Sequence, residues 1–238
     1  MSGNFFIALT ETQIPVWALL VACVAAYFAG NINPAILLGK ARGIDIRAQG
    51  SGNAGATNAA RSLGKKAGLL TFVIDILKGW IVCFLAGAIG FGLSSTDSPD
   101  KLLLSMLCGF FVILGHMWPV TFGFKGGKGV STTFGVLLFF NPIFALSLFG
   151  IVIIVTLIFR RVSLSVLIAV AFALVVVWQT GGALTESVGN YDVLYFVFNT
   201  WIPIWTTVIF VLIIWKHRSN IARLVRGQES KLSFGGKK

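Results

Sequence analysis

Six stretches of this chain stay apolar for about the 20 residues a helix needs to cross a hydrocarbon layer. They are 14–38, 67–93, 102–122, 130–159, 162–180 and 193–215. No other feature constrains the fold so sharply, because backbone amides in lipid must be satisfied within the structure itself, which a continuous helix achieves. Composition agrees: 56% of residues are hydrophobic and 11% charged, against about 45–50% and about 25% in soluble domains. The expected fold class is an all-α integral membrane protein.

The fourth run is 30 residues long, and Asn141-Pro142 interrupts it. Proline inside a helix deletes a hydrogen bond and clashes with the preceding turn, so two passes are expected, 130–140 and 143–159. Basic residues favour the same division. With seven transmembrane helices, the N-terminus outside and the C-terminus cytoplasmic, the inside segments are 39–66, 123–129, 160–161 and the tail from 216. Of the 19 lysines and arginines, all but Lys78 and Lys101 fall in them. The outside loops, 94–101 and 181–192, are acidic or neutral apart from Lys101. A single long fourth pass would place Arg160, Arg161 and the basic tail outside, against the bias that orients membrane helices. The short pass, 130–140, reaches only about 16 Å and needs shelter or a thin bilayer.

The net charge of +11 suits orientation and contact with anionic lipids or phosphates rather than nucleic acid in a chain this apolar. Cys23, Cys83 and Cys108 lie in apolar runs with no paired spacing, and read as buried hydrophobes rather than disulfide or zinc ligands. No basic stretch precedes the first run, which argues for an uncleaved first span over a signal peptide. Residues 1–226 read as a single membrane-embedded catalytic domain, and 227–238 as a basic, flexible tail.

The polar islands carry the chemistry. Residues 50–58 read GSGNAGATN, whose Gly50, Gly52 and Gly55 fit the dinucleotide pattern G-x-G-x-x-G, with Asp75 near the expected acidic position. That fingerprint requires a preceding strand, whereas here a transmembrane helix and a basic loop precede it, and Asp75 lies inside the second span. Lys78, one helical turn on, is the expected partner of Asp75, as an orienting pair or as part of the site. The phrase also matches the nucleotide P-loop except for alanine at the lysine position. What remains is an anion cradle of Gly50, Ser51, Gly52, Asn53, Gly55, Thr57 and Asn58, with Arg61 beyond it.

A second block, GHMWPVTFGFKGGKGVST, sets Lys125 and Lys128 among Gly123, Gly126, Gly127 and Gly129 before a helix start. Alone it would read as a flexible surface loop; two such blocks on one face favour anion binding. His116 in this block reads as a core or interfacial histidine. A third block, WKHRSNIARLVRGQES, has the pattern of a basic interfacial helix. His217 and Asn220 share a face there, beside Arg218.

These three blocks, in this order and spacing, resemble the three cytoplasmic motifs of the bacterial acyl-phosphate-dependent glycerol-3-phosphate acyltransferases, and the likeness runs from the first span to Glu229. One departure is GNINP at 30–34, where that family tends to have a G-S-I-P-like turn. The resemblance implies transfer of a fatty acyl group from acyl phosphate to the 1-hydroxyl of glycerol 3-phosphate at the cytoplasmic face of the bacterial inner membrane, with no cofactor, no metal and a monomeric protein. It implies catalytic roles for Ser51, Arg61, Lys128, His217 and Asn220. Ser51 and the 50–58 backbone would hold a phosphate, and Arg61 and Lys128 would neutralise charge. His217 and Asn220 would position the acceptor, with Glu229 ordering the tail.

The H-x-x-x-x-D motif of acyl-CoA acyltransferases is absent, since Thr121 and Ala222 stand five residues after the two histidines. Two alternatives stay open: a transporter of phosphate or an organophosphate, and a Ser51 acyl-enzyme activated by His217.

Overall fold

The structure, a computed structural model of the 238-residue chain, describes residues 14–93, 100–179 and 201–232. The described residues are helical or connecting, in line with the expected class. Most of both expected outside loops, 94–99 and 181–192, lies outside them, as do 193–200 of the last expected span and 233–238 of the tail.

The first apolar run is not one helix. Helix α1 (Val16–Asn31) stops at Ile32, and α2 (Pro34–Lys40) begins at a bend of 44°. Pro34 lacks an N–H and disfavours helical geometry in the residue before it, and Asn33 caps the restart by accepting from Ile36 N at 3.0 Å. After a single 3-10 turn at Ile46–Ala48 and the glycine loop come α3 (Ala56–Ser62) and α4 (Lys65–Leu93). Helix α5 (Asp100–Met117) ends earlier than the expected 122, because Pro119 cannot continue it, and Val120–Phe122 form a 3-10 turn instead.

Helices α6 (Val130–Phe140) and α7 (Pro142–Phe159) divide where the sequence places the break. Asn141 accepts from Phe144 N at 2.9 Å and Pro142 takes the first helical position, a helix start rather than a kink. Arg160 and Arg161 make the turn into α8 (Val162–Gln179), followed by α9 (Trp201–Lys216) and α10 (Arg218–Val225). Arg160 adopts φ +57°, the left-handed geometry that ends a helix abruptly.

Among the described residues four helices are long and apolar enough to cross a membrane, or five if the bent α1–α2 pair is one span. Val130–Phe140 and Pro203–Lys216 are apolar but shorter. Large apolar side chains stand outward along them, as Trp17, Leu20, Val24 and Phe28 do on α1, an arrangement suited to lipid.

The chain divides after Phe139 into two compact units. In the first, α5 packs on α1 and α4, and α3 packs on α4. Small residues set these approaches, as they do between helices that cannot rely on the hydrophobic effect. A Cβ on Gly30 would overlap Val112 O, and one on Gly115 would overlap Tyr27 O, so α1 and α5 touch backbone to backbone. Gly79 and Gly135 bring α4 against α6 in the same way. Cys23, Cys83 and Cys108 are buried free thiols. In the second unit, α8 packs against α7 and α9. Thr156 Oγ1 meets Ser165 Oγ at 2.7 Å between α7 and α8, and Trp178 Nε1 donates to Thr207 Oγ1 at 3.0 Å between α8 and α9.

Candidate active site

The first glycine loop owes its shape to Asn58. Its Oδ1 accepts from Ser51 N at 2.9 Å, while Nδ2 donates to Ile46 O and Gln49 O, each at 3.0 Å. The side chain is fully buried, with its amide turned inward to clasp the loop. Gly50 and Gly52 hold φ of +55° and +72°, which favour glycine, and a Cβ on Gly50 would overlap Asn58 Oδ1. Ser51 and Gly52 are exposed, Asn53, Gly55 and Thr57 half-buried, and Arg61 exposed at the end of α3. This leaves a short Gly-Ser-Gly backbone exposed, with a cationic side chain exposed on the helix that follows.

The second loop packs against the first. Gly127 N donates to His116 O at 3.1 Å. A Cβ on Gly127 would overlap the His116 ring and approach Ala54 O of the first loop to 3.0 Å. Asn33 Nδ2 holds that same Ala54 carbonyl at 3.1 Å. Arg47, paired with Asp45 at 2.9 Å, donates to Phe122 O at 3.0 Å and ties the blocks together again. The Arg47 hydrogen bond and charge hold the Asp45 carboxyl below the usual carboxylate range. Lys125 is exposed, Gly126 and Lys128 half-buried, and Gly127 and Gly129 buried.

Behind the loops, inside the membrane-spanning helices, lies a polar group that sequence reasoning read only in part. Asp75 pairs with Lys78, with Nζ 2.7 Å from Oδ1, as its one-turn spacing predicts. His116 completes the group, its Nδ1 2.8 Å from Lys78 Nζ and 3.3 Å from Asp75 Oδ1. Lys78 also donates to Ile32 O at 2.8 Å and Gly30 O at 3.3 Å, at the broken end of α1. Asp75, Lys78 and His116 are exposed by 1%, 8% and 3%.

In the second unit, His217 sits buried at the start of α10, its Nδ1 2.8 Å from Ile213 O. A carbonyl can only accept, so Nδ1 carries the proton and Nε2 is the acceptor atom of the neutral ring. The exposed Arg218 stacks on Trp215 at 4.2 Å. Asn220 does not share an environment with His217 alone: its Nδ2 donates to Glu229 Oε1 at 2.6 Å. Ser163 Oγ donates to the same oxygen at 2.6 Å, and Arg223 Nε donates to Oε2 at 2.7 Å. Burial opposes the charge on Glu229, but these three hydrogen bonds and the arginine outweigh it and hold the carboxyl below its ordinary range. Leu232 N donates to Arg160 O at 2.6 Å, a further link between this end of the chain and the α7–α8 turn.

Asn33, His116 and Ser163 were not candidates in the sequence. Asn33 had a signal, since Asn-Pro opens a helix. His116 and Ser163 had none, because their partners lie far along the chain. Among the described residues no cluster of three His, Cys, Asp or Glu suits a metal ion.

The class so defined is a helical integral membrane protein whose polar residues gather in three short blocks. The family model for glycerol-3-phosphate acyltransferase matches residues 20–227, and the chain belongs to that family. Relatives named glycerol-3-phosphate acyltransferase include one from Chlorobaculum tepidum, 40% identical over 229 residues, covering 92% of this chain and 98% of that one. Another, from Burkholderia pseudomallei, is 38% identical over 216 residues, with 90% and 95% covered. A crystal structure of PlsY (YgiH), described as an integral membrane glycerol 3-phosphate acyltransferase in its glycerol 3-phosphate form, is 36% identical with a TM-score of 0.75. The match covers 91% of this chain and 96% of that one. Its lysophosphatidic acid form matches with a TM-score of 0.70.

Proposed function

We propose that this acyltransferase takes its acyl group from an acyl phosphate and delivers it to the 1-hydroxyl of glycerol 3-phosphate, forming lysophosphatidic acid and inorganic phosphate. The observation that supports the reading is the contact of the two glycine loops within one unit, Gly127 against Ala54 O, since two neighbouring loops of this composition suit two anions. Two substrates that each carry a phosphate call for two such loops. The solved relatives, described in glycerol 3-phosphate and lysophosphatidic acid forms, support the acceptor and the product.

In the reaction the acceptor hydroxyl attacks the acyl carbonyl, a tetrahedral oxyanion forms, the carbonyl–phosphate bond breaks, and phosphate leaves. The hydroxyl proton goes to the departing phosphate or to His217 Nε2. Acyl phosphate is already activated, so orientation and charge stabilisation are the main demands on the protein. Ser51, with the loop formed by Gly50, Gly52, Asn53, Gly55, Thr57 and Asn58, holds one phosphate. Lys125 and the backbone of Gly126, Gly127 and Gly129 hold the other. Arg61 and Lys128 neutralise the charge that develops, and His217, Arg218 and Asn220 serve the acceptor. No cofactor or metal has a role in this scheme.

The chain crosses the membrane seven times, N-terminus outside and C-terminus cytoplasmic, with α6 as a short pass. It works as a monomer in the bacterial inner membrane with its polar blocks facing the cytoplasm. Residues 1–226 act as one catalytic domain, followed by the basic tail 227–238. Charge bias supports this orientation.

The test is purified protein in lipid supplied with glycerol 3-phosphate and either acyl phosphate or acyl-CoA, with lysophosphatidic acid measured by mass spectrometry. Product from acyl phosphate alone is expected. Binding of glycerol 3-phosphate without product would favour a transporter.

A further inference from the structure

We infer that Asp75, Lys78 and His116 form a positioning triad that sets the relation between the two phosphate loops from beneath them. This rests on the reading of the loops given above. The three side chains belong to α4 and the end of α5, and none is required by the chemistry of acyl transfer. Each is nonetheless buried at a cost, since ionisable groups inside a membrane protein are expensive and mark a role.

Contacts of Lys78 and His116 run toward the loops. Lys78 Nζ bonds Gly30 O and Ile32 O, at the negative end of α1, where a cation is favoured. Asn33, the next residue, carries the Ala54 carbonyl of the first loop. On the other side, Lys78 Nζ donates to His116 Nδ1 at 2.8 Å. The ring proton then sits on Nε2, the edge that would meet a Cβ on Gly127. The His116 carbonyl also accepts from Gly127 N at 3.1 Å. One ammonium thus fixes both the helix break that carries the first loop and the imidazole that seats the second, and Asp75, 2.7 Å from that ammonium, fixes the ammonium.

A pair serving stability alone would behave differently. Buried ion pairs replaced whole by apolar residues are often neutral or stabilising, whereas removal of one partner leaves an uncompensated charge. The double variant Asp75→Leu/Lys78→Met is therefore measured in lipid for thermal midpoint, kcat, and KM for both substrates. Positioning predicts a wild-type midpoint, KM values within about threefold, and kcat lowered roughly tenfold to a hundredfold, the scale of a misplaced reacting group. His116→Gln, which leaves the Asp75–Lys78 pair whole, is expected to show the same split and decides the matter if the double variant does not fold. Either variant folded with wild-type kcat overturns the triad while acyl transfer stands. A wild-type protein that makes no lysophosphatidic acid overturns the acyl-transfer reading, and the triad's role with it.

Discussion

The imidazole of His116 and the backbone of Gly127 lie flush: Gly127 N donates to His116 O at 3.1 Å, and there is no room between ring and glycine for a Cβ. Gly127→Ala must push the ring off Lys78 or lift the second loop away from Ala54. Overpacking of this kind costs about 1–3 kcal/mol. We expect a lower thermal midpoint together with a kcat loss larger than stability explains, read by calorimetry and steady-state kinetics on the same preparation.

Arg61 is exposed and Lys128 half-buried. Arg61→Ala and Lys128→Ala should each lose about 10²-fold or more in kcat/KM, the scale of one charge-stabilising donor, with melting unchanged. Near-normal turnover in both would remove the charge-neutralising assignment.

The side-chain amide of Asn58 makes three bonds within the first loop. Asn58→Ala strands buried groups, each costing about 1–3 kcal/mol if left unmet. Stability and activity should therefore fall together, measured by thermal unfolding and turnover. Loss of activity at a wild-type midpoint would instead make Asn58 a direct ligand.

Glu229 has its carboxyl held below the ordinary range, once burial is outweighed by Ser163, Asn220 and Arg223. A depressed value stabilises the fold above the ordinary glutamate pKa, about 4.3, and that contribution disappears as pH falls through the native value. Between about pH 5 and pH 3 the wild-type midpoint should drop more steeply than that of Glu229→Gln. Parallel slopes would show that Glu229 is not the group titrating.

His217 Nδ1 is committed to Ile213 O, so proton transfer on this ring would use Nε2. His217→Gln offers hydrogen bonding without titration. If Nε2 takes the hydroxyl proton, kcat falls about 10²–10⁴-fold and the pH–rate profile changes shape. A loss under about tenfold with an unchanged profile puts the proton on substrate phosphate.

Much of this protein follows from sequence alone, because the relevant physics is local. Apolar length sets where helices can lie in a bilayer, and Asn-Pro sets where one must begin, as at Asn141–Pro142. Asp75 and Lys78 meet because helical pitch brings positions one turn apart together. The glycines of the first loop are legible as a tight turn because Gly50 and Gly52 take positive φ, which residues with a Cβ rarely adopt. Tertiary structure decided what distant side chains do. His116 joins Lys78 across 38 positions, and Ser163 reaches Glu229 across 66. Asn33 seats Ala54 only because α1 breaks, and Asn58 faces inward only because the loop folds over it. A buried polar atom takes whichever partner the packed chain presents, and no local pattern of residues encodes that partner.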